Sequence, residues 1–320
     1  MFCQIQKVLI VHQDTTKTYS VTFLDFSIYL KMNKVILFSF LVSSLNLLSQ
    51  NEQAFVIYNS KGKETNFRAL AKHAKQANFV FFGEFHDNPI SHWLQFELTK
   101  SLFLSKGNDL VLGFEMFEQD QQLILNDFVS GNISEKQFSD SCRLWPNYET
   151  DYKPLVDFAK ENNLVCLADN IQRKYASLLF KKGRESLDTL SPDIKAQMVD
   201  VNFPVDTTLS QYREIRSMGG EHMGINMIEA QAIKDATMAK FIWNGIKNEN
   251  NLVLHFNGAF HTDFYQGIIW YLKNDKRWTP DKKVITVTTV SQKEIDKLDK
   301  EHFGRADFII CVPESMTKTH

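Results

Sequence analysis

Four short apolar runs, each breaking off into charged or amide side chains, constrain the fold of this chain more than any other feature. Phe79–Phe82 runs into Gly83-Glu84-Phe85-His86-Asp87-Asn88-Pro89, and Leu110–Phe114 runs into Glu115-Met116. Leu164–Ala168 ends in Asp169-Asn170, followed by Arg173-Lys174, and Leu252–Phe256 leads into Asn257-Gly258-Ala259-Phe260-His261. Runs this short, apolar on both alternating faces, read as parallel strands covered by helices on either side. Between them lie helix-period segments such as Ile90, Leu94, Leu98 and Leu102. Val284–Val290 and Phe308–Val312 add further strands, and Ala54–Tyr58 with the Lys61-Gly62-Lys63 turn reads as an opening edge hairpin. The expected fold is therefore α/β, a mostly parallel central sheet flanked by helices in a single domain.

Composition narrows the function. The chain has 320 residues, 43% hydrophobic and 23% charged, which excludes a disordered or disulfide-dense protein. A formal net charge of −2 offers no general attraction to phosphate, so no nucleic-acid partner is expected. The cysteines at 3, 142, 166 and 311 form no C-x-x-C pair, and pairing among Cys142, Cys166 and Cys311 stays open; Cys166, inside a strand, reads most simply as a small buried hydrophobe.

The N-terminal region reads as a targeting segment. Met32-Asn33-Lys34 precedes an apolar run from Val35 to Leu48, shorter than the ~20 residues a spanning helix needs. Residues 32–50 are thus expected to be a signal peptide, residues 1–31 an upstream extension translated in error, and 51–320 the folded domain. No cysteine closes the apolar run, so a periplasmic or secreted product is expected rather than a lipid-anchored one.

Ligands of open parallel sheets collect beyond the carboxyl ends of the strands. Two of those ends carry the same G-x-x-H phrase, Gly83 with His86 and Gly258 with His261, beside Glu84 and Glu115. Such a set either holds a divalent metal, since imidazole and carboxylate suit zinc, manganese or iron, or performs acid–base work. Asn88-Pro89 has the form of a helix start. His92 reads equally as a surface residue or as support for the site. The helix around Met227–Trp243 carries Gln231 and Asp235 within its apolar stripe, which points to a hydrogen-bonded role facing the site or bracing a loop.

These phrases, together with Trp145 and Tyr148, Phe158-Ala159-Lys160, Ala230-Gln231 with Asp235, and Met238-Ala239, resemble the ChaN-type haem-binding proteins. That family is grouped with the Tiki and TraB proteins and is similar in fold to erythromycin esterases. The resemblance runs from about Ala54 to Pro313. It implies a haem-binding domain, a homodimer, and a part in iron acquisition at the envelope with transport components it does not specify. Related branches imply the alternative of a metal-dependent hydrolase using Glu84, His86, Glu115 and His261. A helical flap is expected over Asp206–Met227, with Tyr212 or His222 as the iron ligand and Met223 beside them. Arg173, Lys174 or Arg216 would hold the propionates.

Overall fold

Alternation along the strands decides the layers. In β3 (Phe79–Glu84) Val80 and Phe82 enter one apolar cluster while Phe79 and Phe81 enter another on the opposite face. The same division separates Leu112 from Val111 in β4 (Leu110–Glu118) and Leu254 from Val253 in β6 (Leu252–Gly258). A strand buried on both faces needs a helical layer on each. The computed structural model describes residues 53–320, with the side chains of 218–223 excepted. The upstream extension and signal segment expected before residue 51 lie outside the described residues.

The sheet has eight strands in the order β2-β1-β8-β7-β3-β6-β4-β5. β1 (Val56–Asn59) and β2 (Glu64–Thr65) form the expected antiparallel edge hairpin. β1 also pairs antiparallel with β8 (Phe308–Pro313). From β8 across β7 (Val284–Gln292), β3, β6 and β4 to β5 (Val165–Asn170), every pairing is parallel.

One helical layer contains α1 (Phe67–Ala74), α2 (Pro89–Lys106), α3 (Gln122–Val129), α4 (Glu135–Ser141) and α5 (Lys153–Asn162). The other contains α6 (Arg173–Lys182), α8 (Ser210–Gly245) and α9 (Ile268–Asn274), with the short α7 (Pro192–Ala196) beside them. α2 begins as its sequence requires: the Asn88 side chain accepts a hydrogen bond from the Ser91 amide, and Pro89 occupies the first helical position. The segment expected as a helical flap over Asp206–Met227 is helical from Ser210 onward, as the first half of α8, which continues unbroken to Gly245. Among the described residues no helix is long and apolar enough to cross a membrane, and Cys142, Cys166 and Cys311 are free thiols.

Candidate functional site

β3, β6 and β4 are immediate neighbours, and this adjacency brings the distant motifs together. Gly83 registers against Asn257 and Glu84 against Gly258, so the two G-x-x-H phrases leave the sheet side by side. On the other flank of β6, the pairing of β4 with β5 shifts between Phe114 and Glu118, an irregularity of the kind that re-aims a strand residue. Glu115 lies within it.

Glu84 anchors the first half of the site. Its buried carboxylate accepts hydrogen bonds from Tyr152 Oη at 2.6 Å and from Gln95 Nε2, and it pairs with His86 Nδ1 at 2.9 Å. This fixes the imidazole by one nitrogen, while the side chain remains 40% exposed and faces a cavity. Trp145 packs edge-on against the ring at 4.8 Å. Burial disfavours the charged ring, but the hydrogen bond to Glu84 and the charges of Glu115 and Glu84 outweigh it and lift His86 above the ordinary imidazole value.

His261 anchors the second half. Its Nε2 lies 3.1 Å from Glu115 Oε1 and its Nδ1 lies 2.5 Å from Asp235 Oδ1, so one imidazole is held between two buried carboxylates. Burial opposes its charge, yet Glu115 and Asp235 push His261 up to about 10. Burial likewise works against the Glu115 carboxylate, but His261 and the Gly258 amide, 2.7 Å away, hold it well below the carboxylate range. Burial raises Asp235, partly offset by His261. Tyr212 completes the row by donating to Asp235 Oδ2 at 2.7 Å. Gln231 reaches the same imidazole, 3.0 Å from Nδ1.

A second His–Asp pair lies beneath this floor. His255 Nε2 and Asp169 Oδ2 are 3.0 Å apart and fully buried inside the sheet, and a Cβ on Gly113 would stand 2.6 Å from the His255 ring. Only glycine fits there.

A cavity of about 880 Å³ opens over the floor. Glu84, His86, Glu115 and His261 line its base. Phe180, Ile215, Met227 and Phe260 contribute apolar wall, and Arg173 and Lys234 contribute cations. A volume of this order suits a small-molecule or cofactor site, for which roughly 300–1,000 Å³ is usual. Lys174 lines a neighbouring cleft with Arg143 and Trp145.

The sequence-read residues thus divide. Glu84, His86, Glu115 and His261 converge on one cavity, and Arg173 joins them. Tyr212 does not: it is 1% exposed, its hydroxyl is committed to Asp235, and it forms no part of the cavity wall. Arg216 is exposed and packs against Gly224 rather than on that wall. His222 and Met223 lie outside the described side chains. The metal reading meets a physical obstacle at His261, which engages carboxylates through both nitrogens and has none left for an ion. Among the described residues, no three or more His, Cys, Asp or Glu are grouped to hold a metal ion.

Sequence reasoning missed Tyr152, Gln95, Asn147 and Asp151. His92, left between two readings, is buried and lies 3.0 Å from the His86 carbonyl through Nε2. Gly258 acquires a specific role, since a Cβ there would come within 2.9 Å of His86 Cε1 and Nε2. Gly258→Ala should therefore swing the His86 ring aside, the ring being the movable partner. The expected result is a shifted His86 imidazole resonance in NMR with little change in melting temperature; an unmoved resonance would contradict this geometry.

Comparison with known proteins agrees with the architecture. The family model described as haem-binding uptake, Tiki superfamily, ChaN, matches residues 70–272, and the chain belongs to that family. ChaN of Campylobacter jejuni, whose solved structure is described as showing cofacial haem binding, has a TM-score of 0.60 at 17% identity, covering 81% of this chain and 97% of that one. A protein from Bacillus cereus gives a TM-score of 0.46 at 12% identity, covering 82% and 95%. An erythromycin esterase gives 0.42 at 8% identity, covering 81% and 83%. No curated relative matches the chain.

Proposed function

We propose that the cavity over β3, β6 and β4 binds haem, with His86 as the iron donor, the Tyr212 hydroxyl expected from sequence being committed to Asp235. Haem presents an apolar macrocycle, an iron open to an axial nitrogen, and two carboxylates. Each has a counterpart here: Phe180, Ile215, Met227 and Phe260 on the walls, His86 at the base, and Arg173 and Lys234 within reach of the same cavity.

One observation carries the reading. His86 is a half-exposed imidazole fastened at Nδ1 by a buried carboxylate, 2.9 Å away, at the base of a largely apolar cavity. A carboxylate on one imidazole nitrogen fixes the tautomer and raises the basicity of the other, which is how proteins prepare a histidine ligand. The remaining polar floor is bound into internal pairs and supplies no comparable donor.

The wider role we infer is haem uptake at the cell envelope. The signal-like segment 32–50 supports export to the periplasm or beyond, with 51–320 as the functional domain. Family membership supports haem as the cargo, and a homodimer remains part of the proposal. Titrating the purified domain with haemin tests the core of it: a saturable Soret shift is expected, and haemin absorbance that rises without saturation would overturn it.

A further inference from the structure

The loop that bears His86 is held by more than its own strand. Asn147 Nδ2 donates to the His86 carbonyl at 2.7 Å, and His92 Nε2 lies 3.0 Å from the same oxygen. Both supports refer to one buried carboxylate: Asn147 Nδ2 also reaches Asp151 Oδ2 at 2.7 Å, and His92 Nε2 lies 3.4 Å from it. The next partner of that carboxylate comes from 168 residues away, where Thr319 Oγ1 donates to Asp151 Oδ2 at 2.7 Å. The Thr319 amide donates to the Asp87 carbonyl at 2.9 Å, and Lys318 Nζ pairs with Asp87 Oδ2 at 2.6 Å. The segment Glu314–His320 therefore lies across the residues next to His86 and encloses with them a second cavity of about 400 Å³, of which His86 itself is one wall.

These contacts differ in strength. The Lys318–Asp87 pair is largely exposed, and such pairs contribute little. The Thr319 hydroxyl meets a buried carboxylate, and hydrogen bonds to charged groups out of water are the stronger kind.

We infer that Thr319 is a positioning residue for His86: through Asp151, Asn147 and His92, the segment Glu314–His320 latches the His86 loop and slows the escape of bound haem. The inference rests on the haem reading above for its cargo, but the latch itself is testable without haem. Thr319→Val removes the hydroxyl at nearly constant volume, and Thr319→Ser keeps it. In the full chain without haemin, amide exchange over Gly83–Asn88 should accelerate on the order of tenfold in Thr319→Val and stay near wild type in Thr319→Ser. Haemin release, followed by transfer to excess apomyoglobin, should accelerate by a similar factor in Thr319→Val alone. Equal exchange in wild type and Thr319→Val overturns the latch. Faster exchange with unchanged release overturns its effect on the cargo. Should wild type show no saturable haemin binding, the haem reading falls, and the exchange data still decide whether Thr319 fastens the loop.

Discussion

His261→Asn will destabilise the fold by about 3–5 kcal/mol, because it leaves Glu115 and Asp235 as neighbouring buried carboxylates with no cation between them. For a domain of this size that corresponds to a fall in melting temperature on the order of 10 °C. The pH dependence makes the prediction specific. Glu115 and Asp235 hold His261 at about 10 in the folded state, against an ordinary value of 6.5. A basic group raised on folding contributes its full stability below the ordinary value and loses it as the pH climbs to the folded one. Wild-type stability should therefore decline between pH 6.5 and about 10, and the variant should lack that decline. Calorimetric melting across this range provides the check, and parallel wild-type and variant curves would contradict the buried triad.

Glu84→Gln should have the second largest effect. The Glu84 carboxylate only accepts, and Tyr152, Gln95 and His86 all converge on it. An amide in its place turns one acceptor into a donor aimed at other donors. Leaving a buried group without its partner costs on the order of 1–3 kcal/mol. The His86 imidazole also loses the partner that fixes its orientation, and loss of such support weakens a ligand site by roughly 10–100-fold. Haemin affinity should fall by that factor while the variant remains folded. A variant that binds haemin as wild type does would show that Glu84 does not prepare His86.

Much of this was legible in the sequence, for identifiable reasons. The strands announce themselves because burial on both faces permits few polar interruptions, so the first polar residues after Phe82 and Phe256 fall at the ends of β3 and β6, whereas β4 runs on past Glu115 to Glu118. Asp235 was legible because a carboxylate in an apolar stripe requires a partner, and His261 is that partner, with Gln231 beside the same ring. What sequence could not give was pairing across space. Tyr152 lies on a short π-helical turn, 68 residues from the Glu84 it donates to, and no periodicity connects them. Thr319 is further still from Asp151. Tyr212 misled because a tyrosine among Arg and Met residues reads alike whether its hydroxyl faces a ligand or a buried aspartate 23 residues on.

His255 was hidden for another reason. It occupies a strand otherwise filled with apolar residues, and its partner Asp169 comes from β5, with β4 lying between their two strands. The pair is close only because Gly113 leaves room for the ring.

The most direct test of the account is a haemin titration of wild type and His86→Ala, paired with resonance Raman spectra of both. A saturable Soret shift and an iron–imidazole signal are expected in wild type, with both lost or strongly weakened in the variant. An unchanged titration and spectrum in His86→Ala would show that the iron is held elsewhere and would contradict the central assignment.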